Sequence, residues 1–559
     1  MNPTPNNGPR RENALLWMGA AAIAVSLFSH LGAIGFLGPD EPRYAWIARA
    51  MAATGDWVTP RLYGQPWFEK PVLYYWAAAV GFLAHLPSEW AARLPSAFAA
   101  LAAAVAIGWL GRKHYGDEGD SWRGPAGLAP VIFSTSVAAI GFARAATPDM
   151  LFSASIALAM ASAATVLRQA GTLRAATGTG YGERRGSSRA VISFGAFLGL
   201  GVLAKGPAAI LLAGGAIALW VLATKQWRAA LQLAHPLGIA ACCLVALPWY
   251  IACARRNPDF LRIFILQHNF GRYLTPLFHH RQPFWFFGPV ILMALLPWTA
   301  LLWPAAREGL RLWRGKSWND SPGLFFACWA VFPVLFFSCS QSKLPGYILP
   351  AIPPLALVCA VGAFRAFREG RTRLVALCAA LGVTWIALGV TALVFARRIP
   401  WSSYNPDYTA SVVTIWSAVV VGISIAIAAG ISTAGFRRRP VFAIALGAVS
   451  VAAALGGMNL RVLPAVDAFS SARRPAEFLQ ADRRPDRIFT YHLERNWNYG
   501  LAFYFQRELP EWSPADPEPA LVLTTPQGYQ EIRALGRFHG SLDEAYVGVL
   551  YVPVPPAPR

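Results

Sequence analysis

Leu94-Pro-Ser-Ala-Phe-Ala-Ala-Leu-Ala-Ala-Ala-Val-Ala-Ile-Gly-Trp-Leu-Gly111 runs directly into Arg112-Lys113-His114-Tyr115, and the reading of this stretch decides the fold. An uncharged apolar run of about 20 residues is long enough to cross the hydrocarbon core of a bilayer as a helix. Lys and Arg gather in loops that stay on the cytoplasmic side. The stretch therefore reads as a membrane span whose C-terminal end faces inward. The rest of the chain repeats the pattern. Of its 559 residues 55% are hydrophobic and 14% charged, where soluble domains carry about 25% charged residues. A mean hydropathy of +0.40, with 22 Trp and 33 Phe, excludes a disordered chain and argues against a purely water-soluble enzyme.

The first apolar block, residues 14–37, follows Arg10 and Arg11 and is too long for a signal-peptide core, so it reads as an uncleaved anchor with a cytoplasmic amino end. Residues 71–86 form a shorter aromatic segment that begins with Pro71. As a full crossing it would put the 112–123 hinge and every later basic hinge outside, so it reads as juxtamembrane. Further spans are expected at 125–143, 150–167, 191–204, 207–224, 236–253, 284–305, 323–339, 347–364, 374–396, 411–431 and 441–459, thirteen crossings with the first two. The fold class is a polytopic α-helical membrane protein.

The net charge of +21 would suit nucleic acid, but its basic residues sit in hinges such as Arg184-Arg185, 365–373 and Arg437-Arg438-Arg439, the positive-inside pattern. No nucleic-acid partner is expected. The seven Cys form no CxxC pair or Cys/His cluster, so no disulfide framework or zinc knuckle is indicated. After Leu460 the composition becomes ordinary. Strands are expected at 487–492, 520–524 and 545–552, and helices at 499–508 and 527–535. Residues 1–460 thus form a transmembrane domain, with 38–93 as its first outer loop, and 461–559 a small α/β domain on the outer side.

This topology puts an unusual set of polar residues at one membrane surface: Asp40, Glu41 and Arg43 after the first span, Glu69 and Lys70 in the same loop, Arg144 and Asp149 between two spans, Lys205 at a span end, His268, Arg272 and Arg281 in a later outer loop, and Lys343 and Tyr347 in another. Charged residues at membrane depth are costly and are functional candidates. Lys as a point charge and Arg as a fork suit a phosphate headgroup. Trp57, Trp67, Tyr74, Tyr75 and Trp76 offer amphipathic faces of the kind that pack against sugars. A carboxylate beside an anomeric centre deprotonates or orients an acceptor, or stabilises oxocarbenium-like charge. These residues point to an enzyme acting on a lipid-linked phosphosugar.

Asp40-Glu-Pro-Arg-Tyr-Ala45, Thr54-Gly-Asp-Trp-Val-Thr-Pro-Arg61, Phe68-Glu-Lys-Pro71 and Tyr75-Trp76 together resemble the first outer loop of the undecaprenyl-phosphate aminoarabinose transferase family, lipid-carrier-dependent enzymes related to the protein O-mannosyltransferases. Leu203-Ala-Lys-Gly-Pro207, Ser342-Lys-Leu-Pro-Gly-Tyr347 and His268 with Arg281-Gln-Pro-Phe-Trp285 extend the likeness across the membrane part. The resemblance implies a GT-C fold with thirteen helices, juxtamembrane helices in the first loop and a periplasmic α/β domain. It implies an inverting glycosyl transfer from a polyprenyl (undecaprenyl) phosphate donor to a lipid or glycan acceptor, lipid A among them, within membrane lipid. By motif, Asp40 and Asp149 are the catalytic carboxylates; Lys70, Lys205, Arg272, Lys343 and Tyr347 hold the donor or acceptor phosphate; and Glu41, Arg43 and Arg144 are further site candidates. Glu69 and His268 match positions that hold a structural divalent metal ion in that family, although two ligands do not define a metal from sequence, and no cofactor is required. The alternatives are a protein O-mannosyltransferase-like activity and a lipid-linked sugar transporter or flippase. A transporter places its binding groups near the midplane, often between internal repeats, and no repeat is visible here.

Overall fold

The computed structural model describes residues 8–116, 123–173, 187–271, 282–315, 317–319, 321–398, 410–481, 487–516, 518–536, 545–546 and 549–554. Eight helices among them are long and apolar enough to cross a membrane: Ser88–Tyr115, Asp149–Gln169, Ser188–Lys205, Pro236–Arg256, Pro345–Arg368, Arg371–Val394, Ala418–Phe436 and Pro440–Asp467. Two bent helix pairs raise the number to ten if each is one span, and Ala14–Phe28, Leu73–Leu83, Ala208–Thr224 and Pro322–Ser338 are shorter apolar helices. The chain is a multi-pass helical membrane protein. Asp149–Gln169 is its central post, with 94% of its apolar window buried. Its small residues, including Ala154, Ala157, Ala161 and Ala164, let the flanking Ser187–Lys205 and Ser88–Tyr115 helices approach closely.

Three expected spans differ in detail. Residues 125–143 form two helices, Pro125–Ser134 and Val137–Ala143, that meet at 62°. The break has a local cause: the Thr135 hydroxyl donates back to the Val131 carbonyl at 2.5 Å and accepts the Trp298 indole N–H at 2.9 Å. Ser136 then starts the second helix by accepting the Ala139 N–H at 3.4 Å. Residues 284–305 likewise bend by 112° between Phe284–Ala294 and Thr299–Arg314, at Pro297, which has no N–H to continue the first helix. The first helix ends at Phe28 rather than near residue 37, and a turn-rich segment leads on to Pro39.

The first loop contains the helix Asp40–Thr54, a short hairpin pairing Arg61–Leu62 with Gln65–Pro66, and the helix Leu73–Leu83. At 11 residues the last of these is about 16 Å long, about half the thickness of a bilayer core. Arg93 fastens this loop to the bundle. Its guanidinium, 3% exposed, forks onto Glu41 with contacts of 3.1 and 2.7 Å. It also donates to the carbonyls of Leu31, Ile34 and Gly35 at 2.6 to 2.8 Å. Glu41 in turn accepts the backbone N–H groups of Leu37 and Ala146, each at 2.7 Å. One buried pair therefore joins the end of the first helix, the loop helix, the Ser88–Tyr115 helix and the 144–149 hinge. Arg144 adds a second tie, donating to the carbonyls of Ser29 and His30 and to Asn459 Oδ1.

At the carboxyl end the helix Pro440–Gly457 continues without a break through Met458–Val462 into Leu463–Ser470, so the compositional boundary at 460 lies inside a helix. Beyond it stands a four-stranded sheet in the order Ile488–Tyr491, Ala520–Thr524, Val549–Val554, Ala545–Tyr546. The first pair is parallel and the others antiparallel. The strand expected at 545–552 is two strands that pair with each other, because a period-two pattern reads alike in one strand and in a hairpin. The helix Arg495–Phe505 lies against the loop helix Asp40–Thr54. Tyr504 donates to Glu89 at 2.7 Å and accepts the Phe36 N–H at 3.0 Å. Arg473 binds Asp467 at 2.6 Å, within reach of Glu89 at 3.5 Å.

Removing one partner of a buried ion pair typically costs about 3–5 kcal/mol. Arg93→Met is expected to lower the thermal midpoint of the purified protein sharply, and Arg93→Met/Glu41→Gln to lose less than the two single variants summed. Additive losses would show that the two side chains do not act as a pair.

Candidate active site

Two polar clusters meet at one end of the bundle. The first is built by the loop helix. Asp40 begins it, where the helix dipole favours a carboxylate, and its side chain is 53% exposed. Arg43, one turn on and nearly buried, pairs with Asp40, contacts Glu69 Oε2 at 3.0 Å and donates from Nε to the Pro39 carbonyl at 2.9 Å. Its guanidinium lies 5.2 to 5.7 Å from the ring centres of Tyr499, Trp67 and Tyr44, a desolvated cation–π setting. Burial works to lower the Arg43 pKa, but Glu69, Tyr44 and Asp40 outweigh it and the value is raised, so the cation persists. Glu69 also receives the Tyr44 hydroxyl at 3.4 Å and lies 3.5 Å from the Lys70 ammonium.

The second cluster is built by helix ends. Asp149 opens the central helix after Pro148, and Lys205 closes the Ser187–Lys205 helix before Gly206-Pro207. The two form an ion pair. The Lys205 ammonium lies 5.4 Å from the Phe152 ring centre and 5.7 Å from that of Tyr347. Lys70 is close enough to the Asp149 carboxylate to act on it electrostatically. Lys70 is thus the link between the clusters. Tyr347 is placed by its turn. Lys343 is buried and donates to the carbonyls of Ser340 at 2.6 Å and Gln282 at 3.0 Å. A Cβ on Gly346 would come within 2.7 Å of the Phe142 ring, so a larger residue there would have to displace that ring.

The structure accordingly brings Asp40, Arg43, Glu69, Lys70, Asp149, Lys205 and Tyr347 together. Three other candidates have structural work: Glu41 is spent on Arg93, Arg144 on the ends of two helices, and Lys343 on its own turn. Arg272, with Arg281, lies outside the described residues. His268 lies in the helix Arg262–Gly271. Among the described residues no group of three His, Cys, Asp or Glu side chains could hold a metal ion. The Glu69 carboxylate already contacts Arg43 and Lys70, cations that repel a divalent ion. Glu69 and His268 are two of the ligands a divalent ion would need, and among the described residues no third His, Cys, Asp or Glu joins them.

Sequence reading missed three contributors: Arg93, Tyr44 and Tyr499. Arg93 follows a short apolar stretch and reads as a snorkelling cation. Tyr44 was quoted only as part of a motif. Tyr499 lies more than 450 positions from Arg43, and no local periodicity reports such a contact.

The family model for dolichyl-phosphate-mannose-protein mannosyltransferases matches residues 35–264, which include both clusters except Tyr347 and Tyr499. The undecaprenyl phosphate-alpha-4-amino-4-deoxy-L-arabinose arabinosyl transferase of Edwardsiella ictaluri is 35% identical over 322 residues, 58% of this chain and 54% of that protein. A relative of the same name from Sodalis glossinidius is 30% identical over 421 residues, 74% of this chain and 69% of that protein. The matches thus span between about half and two thirds of these relatives. The crystal structure of ArnT from Cupriavidus metallidurans bound to undecaprenyl phosphate superposes with a TM-score of 0.77 at 21% identity, covering 97% of this chain and 98% of the other. An oligosaccharyltransferase from Archaeoglobus fulgidus superposes at 0.50 and 12% identity, over 91% of this chain and 65% of the other. The fold is a GT-C membrane fold, and on the extent of the Sodalis match the chain belongs to the undecaprenyl phosphate-aminoarabinose arabinosyl transferase family.

Proposed function

We propose that the protein is an inner-membrane glycosyltransferase that moves a sugar from a polyprenyl phosphate to a lipid or glycan acceptor at the periplasmic face. The donor its relatives' names suggest is undecaprenyl phosphate-linked 4-amino-4-deoxy-L-arabinose, and lipid A is the leading acceptor. The observation that carries this reading is the meeting of Lys70 and Lys205 with Tyr347, Asp149 and the Asp40–Arg43–Glu69 group at helix ends, in a chain of this family. A phosphate between the two ammonium groups would sit at the membrane boundary, where its polyprenyl tail can stay in lipid.

In the transfer, the bond between the sugar's anomeric carbon and the phosphate oxygen breaks, and the polyprenyl phosphate leaves with both electrons. A new bond forms from an acceptor oxygen to the opposite face of the same carbon, which inverts the configuration. Lys70 and Lys205 stabilise the charge that grows on the leaving phosphate. Asp40, the more exposed of the two carboxylates, takes any proton the acceptor oxygen loses and faces the developing oxocarbenium charge. Asp149 holds the Lys205 ammonium in place. The Tyr347 hydroxyl serves as a neutral donor to the phosphate.

The basic hinges support an orientation with the amino terminus in the cytoplasm and the site and the α/β domain in the periplasm. Thirteen crossings result if each bent pair counts once and Ala14–Phe28, Ala208–Thr224 and Pro322–Ser338 each cross. On this division, 1–460 is the catalytic membrane part and 461–559 the periplasmic part. The mannosyltransferase family match favours one second reading, a protein acceptor glycosylated from the same class of donor.

Asp40→Asn keeps size and polarity but removes the base, so transfer in membranes should fall by roughly 100-fold or more at unchanged protein level. Undiminished transfer would exclude Asp40 from the chemistry. Lys70→Ala should raise the donor KM by roughly tenfold or more, the usual worth of a hydrogen bond to a charged group. An unchanged KM would remove Lys70 from the phosphate site. Mass spectrometry of envelope lipids and glycoproteins, with and without the gene, separates a lipid acceptor from a protein.

A further inference from the structure

A second charged cavity lies at the far end of the bundle. The helix Ile352–Arg368 starts just after Tyr347 and has 17 residues, so its last turn is about 25 Å from the site described above. There it crosses the helix Leu302–Arg314 so closely that a Cβ on Gly362 would meet the Ala305 backbone nitrogen at 2.5 Å. The two helices and the start of Arg371–Arg398 enclose a cleft of about 340 Å³. Five arginines line it, Arg307, Arg311, Arg314, Arg365 and Arg373, against Glu308 and Glu369, leaving an excess of three positive charges.

The cations are arranged in advance. Glu308 is 8% exposed and holds Arg311 and Arg365, each at 3.0 Å, while Glu369 holds Arg373. Arg307 and Arg314 have no acidic partner within ion-pair distance among the described residues, and both are exposed. Apolar groups share the wall: Trp303 is 47% and Leu310 42% exposed, and Trp313 beside them 66%. Trp at the membrane–water boundary, with arginines around a pocket, is the chemistry that takes up the phosphodiester of an anionic lipid while the acyl chains remain in the bilayer.

We propose that this cleft is a binding site for the headgroup of an anionic phospholipid, such as phosphatidylglycerol or cardiolipin, in the leaflet opposite the active site. The arginine forks bind the phosphate oxygens, and Trp303 and Leu310 contact the glycerol and upper acyl region. The site shares no residue with the sugar-transfer site, so the two assignments stand or fall separately. It also suits a membrane enzyme whose cytoplasmic face must be held at a fixed depth.

The test uses the purified full-length protein. Native mass spectrometry counts retained lipid, and thermal unfolding follows its effect, with phosphatidylglycerol, cardiolipin, phosphatidylethanolamine or inorganic phosphate as probe. The anionic lipids should be retained and should raise the midpoint, whereas phosphatidylethanolamine and inorganic phosphate should not. Arg307→Ala/Arg314→Ala should weaken anionic-lipid binding roughly tenfold or more, each basic group near an anionic surface contributing about fivefold. Arg314→Glu, at an exposed helix end, should weaken it as well without disturbing the fold. Equal retention of phosphatidylethanolamine, an equal shift with inorganic phosphate, or full binding by well-folded variants would each overturn the proposal.

Discussion

The buried pair of Arg93 and Glu41 is the constraint on which the rest of the site depends. A carboxylate and a guanidinium withdrawn from water at a helix junction are tolerated only if nearly every donor and acceptor is used. Here they are used on backbone: Arg93 takes three carbonyls from the turn after the first helix, and Glu41 takes the N–H groups of Leu37 and Ala146. The consequence reaches both clusters. Glu41 adjoins Asp40, and Ala146 lies three residues before Asp149. Their shared anchor therefore fixes the two acidic groups relative to each other with interactions that need neither substrate nor metal.

Around that anchor the protein balances charge locally. Asp40 and Glu69 share Arg43, and Asp149 holds Lys205, while Lys70 stands between the two groups. Such an arrangement holds the cations in position, and under the proposed function a phosphate would enter by competing for ammonium groups already in place. The Arg43 guanidinium is further enclosed by aromatic rings, one of them Tyr499 from the C-terminal region. Arg49 donates to the Phe503 carbonyl at 3.2 Å on the same interface. The α/β region thus forms one wall of the site.

Much of the membrane architecture was legible in the sequence because its signal is local. Apolar length and basic hinges locate helices whatever their neighbours are, and the short aromatic segment around Tyr75 is a helix of 11 residues, Leu73–Leu83. The breaks at Thr135 and Pro297 were harder, since a hydroxyl or a proline inside an apolar run is tolerated as often as it bends a helix. For the site, motif residues at helix ends were the visible part. The structure brings Asp40, Arg43, Glu69, Lys70, Asp149, Lys205 and Tyr347 together. What the sequence could not report was which charges are spent inside the protein. Glu41 and Asp40 are adjacent in one motif, yet one is buried against Arg93 and the other faces solvent. Lys343 resembles a phosphate ligand but holds backbone carbonyls. Those distinctions come from partners about 50 to 60 positions away.

The central claim is that the loop helix and the arginine-lined cleft face opposite sides of the membrane, with the acid–base cluster outside. Cysteine labelling tests it most directly. Ala53→Cys, exposed at the end of the loop helix, and Arg314→Cys, at the cleft, are each placed in a background where the exposed Cys339 is replaced by Ser. Both are then treated in spheroplasts with a membrane-impermeant maleimide. Reaction at position 53 in intact spheroplasts, with reaction at 314 only after permeabilisation, is the expected result; equal labelling of both positions before permeabilisation, or the reverse order, would contradict it.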